Sequence, residues 1–303
     1  MKLDSPYANQ YLDLKPEDYS QLIELAIKED QTHNDVTSNT IFPYSENNMA
    51  SAYIFTKEKA IQCGSPLVKY IASKFNSIII EELTQDGQNI LPQQKCFQIQ
   101  GNINEILKFE RISLNFLSYL SGISTLTNQV SKKLKKYNVK LLDTRKTLPG
   151  YRMLSKYAVA VGGGFNHRTN LKQMGMIKDN HIVKAGSIKQ AISTFKTENN
   201  DIPLEVEIDS ISQLDEALTP MVNCILLDNM NNQEMKDCTK QINKYNNENQ
   251  ASILIEASGN FNINNLDKLE NTNVNYVSMS SITTAAKPID FSLVIDNSNT
   301  LFT

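Results

Sequence analysis

Apolar and polar positions follow different rhythms along this chain, and each rhythm predicts a different element. Residues 16–29, "PEDYSQLIELAIKE", open with Pro and acids and then set Leu22, Ile23, Ala26 and Ile27 at helical spacing, which predicts a first helix. Between about Ser51 and Gly101 strand-like runs, "SAYIF", "SIIIEEL" and "CFQIQ", alternate with turn signals at Asp86-Gly87 and Pro92 and one helix-like piece, "PLVKYIASKF". That mixture predicts a small α/β domain. From Asn104 to about Leu120, Phe109, Ile112, Phe116, Leu117 and Leu120 define one buried helical face. Arg111, Asn115 and Ser118 share another stripe, because positions three or four apart point the same way. A solvated face is the ordinary reading of a lone Arg on a helix.

In the second half, short apolar runs each end in charged or small polar residues and are followed by a helix-like stretch. The runs are "VKLLDTRK", "GMIKDNH", "LEVEID", "CILLDN", "SILIEASGN" and "YVSMSS", and their ends lie about 20 to 35 residues apart. That is the spacing of strand–helix units, with an α/β barrel as the natural closure. In such barrels the active site gathers at the C-terminal ends of the strands. Lys, Glu, Asp and Ser-Gly stand at nearly every strand exit here, more than ion pairs and helix caps account for. "NNQEMKDCTKQINKYNNENQ" reads as an outer barrel helix followed by a polar loop, and "AKPIDFSLVI" as one more strand returning to the N-terminal domain.

Length and composition narrow the setting. A chain of 303 residues suits two domains or one barrel-sized domain, and 40% hydrophobic with 21% charged residues is ordinary globular composition rather than disorder. With 30 Lys and Arg against 33 Asp and Glu, no wholesale binding to nucleic acid or anionic membrane is expected, so any anion site is local. No apolar stretch reaches membrane-spanning length and "MKLDSPYANQ" lacks a signal-peptide pattern, so a cytoplasmic location is expected. Cys63, Cys96, Cys224 and Cys238 show neither CxxC nor Cys/His spacing, which predicts reduced, mostly buried thiols rather than a zinc site or disulfide framework.

The strand ends carry the candidate chemistry. "DTRKTLPGYR", residues 143–152, packs Arg145, Lys146 and Arg152 around a Pro-Gly turn, "GGGFNHRTN" adds His167 and Arg168, and "MIKDNH" adds Lys178. Guanidinium groups grip carboxylates with two parallel hydrogen bonds, and Lys supplies a point charge for carboxylate or phosphate; if these groups converge, the ligand is polyanionic. Glu207 and Asp228 follow at successive strand ends. Carboxylates facing a polyanion are unfavourable unless they hold Mg²⁺, accept sugar hydroxyls or stabilise a developing positive charge, and a ribose phosphate with a metal supplies all three. In "EASGN", Ser258 and Gly259 offer a hydroxyl and backbone N–H groups to a phosphate, although Ser-Gly after a strand is often only a helix cap. Gly162, Gly163 and Gly164 match neither GxGxxG nor a P-loop, His33 has no partner at metal spacing, and His181 reads equally as a catalytic or a hydrogen-bonded structural residue.

At "DTRKTLPGYR", "KYAVAVGGGFNHRTNL" and "MIKDNHI" the chain resembles the quinolinate phosphoribosyltransferases, the decarboxylating nicotinate-nucleotide pyrophosphorylases. The likeness runs through nearly the whole chain in "KEDQTHNDVTS", "FERISLNFLSYLSGISTLT", "EVEID", "LLDN" and "EASGN". It implies an α/β fold with an N-terminal α/β sandwich domain over 1–120, an incomplete, seven-stranded-type α/β barrel with the active site over 121–285, and a segment over 286–303 returning to the first domain. It implies a homodimer or higher oligomer in which Arg111 reaches the neighbouring subunit's site. The implied reaction, a step of NAD biosynthesis, joins quinolinate to phosphoribosyl pyrophosphate and yields nicotinate mononucleotide, pyrophosphate and CO₂.

By the same resemblance, Arg111, Thr144, Arg145, Lys146, His167, Arg168 and Lys178 bind quinolinate, with Arg152 in support. Lys146, Lys178, Glu207, Asp228, Ser258, Gly259, Ser278 and Ser280 bind phosphoribosyl pyrophosphate; Lys146, Glu207 and Asp228 are catalytic, and Glu207 and Asp228 hold Mg²⁺. One segment departs from the family pattern: "SMSSITT" sets Ser280 and Thr284 where Gly and His are expected. Ser at a Gly-only backbone angle would be strained and Thr carries no positive charge, so a rearranged phosphate site is expected. Three other readings remain: transfer to nicotinate, for which five or more cations are excessive; a barrel that binds without turnover; and a Schiff-base lyase, which needs Lys178 in an apolar environment.

Overall fold

The computed structural model describes residues 9–43 and 48–296. The first half contains α1 (Ser20–Glu29), α2 (Val36–Ile41), β1 (Met49–Thr56), β2 (Ala60–Ile61), α3 (Ser65–Ala72), β3 (Ile79–Glu82), β4 (Asn89–Ile90), β5 (Lys95–Asn102) and α4 (Ile103–Leu134). Then follow β6 (Lys140–Leu142), α5 (Arg152–Val161), β7 (Gly175–Ile177), α6 (Asp179–Ala185), α7 (Ile188–Glu198), β8 (Leu204–Ile208) and α8 (Leu214–Ala217). The last are β9 (Cys224–Asp228), α9 (Asn232–Asn249), β10 (Leu254–Ser258), β11 (Tyr276–Ser278), α10 (Ser281–Thr284) and β12 (Phe291–Asp296). Two compact units result: one comprises residues 11–43, 48–128, 148–163 and 285–296, the other residues 9–10, 129–147 and 164–284.

The first unit is a sandwich built on an antiparallel sheet in the order β12-β1-β5-β3, so the C-terminal strand pairs with the first one, Ser51 opposite Asp296 and Thr56 opposite Phe291. The helix expected over 104–120 runs unbroken to Leu134, and a boundary at residue 120 falls inside it. Its apolar stripe simply continues, with Ile123, Val130 and Leu134 fully buried. Gly122 sits mid-helix because a Cβ there would collide with the backbone carbonyl of Lys287. Asp86 anchors the other end of the unit. Its carboxylate accepts the amides of Gly64 and Ser65 at 2.9 and 3.1 Å, the Ser65 hydroxyl at 2.7 Å and the Tyr157 hydroxyl at 2.7 Å, capping α3 and tying it to α5.

The second unit holds the parallel sheet β6-β11-β10-β9-β8-β7. Each of the six apolar runs that end in charged or small polar residues is one of its six strands, while the run "AKPIDFSLVI" supplies β12 of the first unit. Phe165 makes a parallel bridge to Leu142 beside β6, so a seventh strand position is reduced to a single bridge. Around the ring the order follows the chain, from β6 and Phe165 to β7 and on to β11, and no ladder closes Phe165 to β7 among the described residues. Met174 and Cys224 pack with Leu254, and Leu142 and Tyr276 with Phe165, as the barrel's apolar floor. The polar stretch expected after the outer helix is itself helical: α9 carries Met235, Cys238 and Ile242 on one buried stripe and is capped by Asn231 with Glu234. All four cysteines are free and buried.

Asp86→Ala leaves the α3 amides and the Tyr157 hydroxyl without their acceptor. It is expected to cost about 2–4 kcal/mol of stability in urea unfolding; an unchanged midpoint would show that this cluster does not hold the sandwich together.

Candidate active site

Strand periodicity selects which side chains enter the barrel, since residues two apart share a face. On β8 these are Glu205 and Glu207, and on β10 Leu254, Glu256 and Ser258. A cavity of about 350 Å³ opens at the C-terminal ends of the strands, with Arg145, Lys146, Arg168 and Lys178 as its cations and Glu207 and Glu256 as its acids. A second cavity of about 430 Å³ shares Thr144, Lys146, Ser258 and Ser278 with the first and adds Asp228, Gly259, Ser280 and Thr284. His167 lines the first cavity. Arg111 is in the sandwich unit, on an exposed face of α4, where it borders a separate cavity of about 400 Å³ with Asn115, Tyr119 and Tyr151. Arg152 begins α5, also in that unit.

Hydrogen bonds fix the cation-bearing loops. Asp143, fully buried at the end of β6, accepts the His167 amide through Oδ1 and the Asn166 side-chain amide through Oδ2, both at 2.8 Å. This ties the "DTRK" segment to the segment carrying His167 and Arg168. Lys146 donates its amide to Thr144 Oγ1 at 3.0 Å, and its carbonyl accepts the Thr283 hydroxyl at 2.9 Å. Arg168 is only 9% exposed and donates from Nη1 to the Met174 carbonyl at 2.8 Å. Burial, and then the nearby Arg145 charge, pull its pKa below the usual guanidinium value, with Glu205 opposing. Lys178 Nζ lies 3.1 Å from Glu207 Oε2, an ion pair rather than the apolar surroundings that a Schiff-base amine needs. His167 accepts the Arg168 amide at Nδ1, 2.8 Å away, and its Nε2 lies 3.0 Å from Glu205 Oε2, so both ring nitrogens are engaged within the protein.

The chain matches the family models described as quinolinate phosphoribosyl transferase, N-terminal domain over residues 35–121 and C-terminal domain over residues 123–294. It belongs to the quinolinate phosphoribosyltransferase family. A relative from Methanocaldococcus jannaschii, named probable nicotinate-nucleotide pyrophosphorylase [carboxylating], is 36% identical over 283 residues, covering 92% of this chain and 98% of that protein. A Bacillus subtilis relative of the same name is 34% identical over 273 residues, covering 89% and 91%. Among solved structures, the nicotinate-nucleotide pyrophosphorylase from Francisella tularensis superposes with a TM-score of 0.88 at 32% identity, over 95% of this chain and 99% of that one. The small antiparallel-sheet domain and the parallel-sheet domain are thus the fold of this family.

Against the family pattern, the departure at Ser280 carries no backbone strain, since Ser280 is not among the residues with positive φ. Its carbonyl instead accepts the amides of Thr283 and Thr284 at 3.0 Å and starts α10. Gly259 is the residue that needs its freedom: φ is +109°, and a Cβ would overlap the Asn229 side chain and stand 2.7 Å from the Asn229 amide nitrogen. His181 lies outside both barrel cavities; its Nδ1 accepts the Lys178 amide at 3.1 Å and caps α6. Glu207 and Asp228 close neighbouring strands, Glu207 beside the first cavity, where it pairs with Lys178, and Asp228 beside the second. The site also contains three acids that motif reading passed over, Asp143, Glu205 and Glu256. Period-two spacing from Glu207 and Ser258 was the available signal for the last two.

Gly259→Ala forces both a strained φ and the Asn229 overlap, and it is expected to cost about 1–3 kcal/mol in thermal or urea unfolding. Wild-type stability in this variant would mean that the turn accommodates a Cβ.

Proposed function

We propose that this chain transfers the phosphoribosyl group of phosphoribosyl pyrophosphate to quinolinate at the barrel rim, releasing pyrophosphate and CO₂ and leaving nicotinate mononucleotide. The observation that carries this reading is the pairing of a four-cation cavity with a second cavity that shares Lys146 with it and is bordered by Ser258 and Gly259. Two polyanionic substrates then meet across a common wall. Four cations around one small cavity answer to a dicarboxylate, and a single carboxylate would leave several of them uncompensated.

In this reading Arg145, Arg168 and Lys178 clamp the dicarboxylate with Thr144, and Lys146 reaches both substrates. Ser258, Gly259, Ser278 and Ser280 hold the 5′-phosphate through hydroxyls and backbone amides, with Thr284 neutral beside them. Glu207 and Asp228 accept ribose hydroxyls and face the positive charge that develops at the anomeric carbon as the ring nitrogen displaces pyrophosphate. These two carboxylates would also hold Mg²⁺, which when bound neutralises the pyrophosphate leaving group. Once ribosylated, the pyridinium nitrogen withdraws electrons, so the adjacent carboxylate departs as CO₂. The electron pair left on the ring carbon is stabilised by the pyridinium and by the fixed cations until a proton arrives.

Arg111, exposed on α4, would complete the clamp of a neighbouring subunit, making the working form a homodimer at least. Free buried cysteines suit a reducing compartment such as the cytoplasm, and no helix among the described residues is long and apolar enough to cross a membrane.

Purified protein with phosphoribosyl pyrophosphate and Mg²⁺ is expected to form mononucleotide from quinolinate, with one CO₂ per nucleotide, and none from nicotinate. Product from nicotinate alone would overturn the dicarboxylate assignment. Arg145→Ala and Arg168→Ala should each lose about 2–5 kcal/mol of transition-state stabilisation, read from kcat/KM. Mixing Arg111→Ala with Arg145→Ala subunits is expected to restore activity, because one site of the mixed dimer regains both residues; absence of complementation refutes the shared site.

A further inference from the structure

Beneath the cation cavity, Glu205 on β8 and Glu256 on β10 are 0% and 1% exposed. Three of their four carboxylate oxygens, Glu205 Oε1 and both oxygens of Glu256, form no hydrogen bond among the described residues. One oxygen of each and a His167 ring nitrogen lie within 4.8 Å of one another, with His167 Nε2 3.6 Å from Glu256 Oε2. Two ionised carboxylates side by side in such a place are strongly unfavourable. Three arrangements relieve them: a bound cation, an imidazolium at His167, or a proton held between the two acids.

The His167 ring decides among the three. Its Nδ1 accepts the Arg168 amide hydrogen, so Nδ1 bears no proton. Nε2 therefore carries the ring proton and directs it at Glu205 Oε2. A nitrogen that donates a hydrogen bond is not a metal ligand, and a ring with one proton is neutral. What remains is a proton between the acids, which also gives the orphaned Glu205 Oε1 a donor.

We propose that Glu205 and Glu256 form a buried acid pair holding one proton, with Glu256 as the protonated partner donating to Glu205, and that the pair positions His167 and Arg168 for the dicarboxylate. Ionised Glu205 accepts the His167 Nε2–H and supplies the buried negative charge opposite Arg168. His167 then contributes a fixed neutral ring to the cavity wall, and the ligand's charge is met by the Arg and Lys side chains. The positioning role rests on the assignment of the barrel cavity to quinolinate; the protonation state does not.

The electrostatics agree with the geometry. At Glu256 burial, and then the neighbouring Glu205 charge, push the carboxyl up to about 8, with the His167 and Ser278 side chains opposing. The groups facing the pair are His167 and Arg168, Lys178 at the end of β7, and Cys224 on β9, whose thiol burial keeps protonated. A carboxyl raised in the folded state stabilises the fold at low pH, and that contribution is lost as pH climbs from the ordinary value of 4.5 through about 8.

The test compares Glu256→Ala, Glu256→Gln and Glu205→Gln in the full-length enzyme. Glu256→Ala should lower kcat/KM for quinolinate roughly 10- to 100-fold, with the KM for phosphoribosyl pyrophosphate unmoved. Glu256→Gln should recover most of that loss, because the amide still donates to Glu205. Glu205→Gln should not recover, because Arg168 loses its counter-charge. The infrared band of a protonated carboxyl should be present in wild type at neutral pH and absent in Glu256→Gln, a readout that needs no turnover. Wild-type thermal stability should fall relative to Glu256→Gln as pH rises from about 5 to about 9. Equal losses in the two Gln variants, no protonated-carboxyl band, or a stoichiometric metal ion that copurifies with wild type and is missing from Glu205→Gln would each overturn the proposal.

Discussion

Parallel pairing obliges six strands to end on one rim, and the chemistry of this protein follows from that constraint. Every strand contributes its last inward residues to the same small volume, so like charges from distant parts of the chain meet there. Cations crowded in this way need counter-charge that does not compete with the ligand. The barrel supplies it in depth: along β10 the inward positions run from Leu254 in the apolar floor, through buried Glu256, to Ser258 at the rim. Arg168 can remain a buried cation because Glu205 lies in the layer below it.

Much of this was legible in the chain. All six barrel strands appear as mostly apolar runs that end in a charge or a Ser, because parallel strands are covered on both faces and reach solvent at the rim. Both cavities were legible through the residue types at those ends. Less legible was depth. "LEVEID" displays Glu205 and Glu207 alike, yet one is fully buried and the other half-buried, a difference set by neighbouring strands in register with Cys224 and Leu226. The same limit applies to His167, which reads as a cation by type, whereas its protonation is set by a backbone amide and a carboxylate brought close only by folding. Helix α4 was read as far as about Leu120 but runs on to Leu134, and at Gly122, inside it, another segment crosses closely enough that a Cβ would collide with the Lys287 carbonyl.

The second cavity is bordered by Gly259 on one turn and by Ser280 and Thr284 on another. The turn after β10 keeps its Gly-only geometry at Gly259, while Ser280 takes an ordinary conformation and opens a short helix. Ser280 therefore lines the second cavity without distorting the chain that carries it.

The missing ladder between Phe165 and β7 has a mechanical consequence. A closed barrel carries hydrogen bonds around its full circumference, so any strand that shifts must stretch the whole hoop. Here the hoop is cut, and the cut lies between the segment bearing His167 and Arg168 and the strand bearing Lys178. The cation-bearing segments on the two sides of the cut are therefore joined by no strand pair among the described residues, and their separation is not held by a ladder.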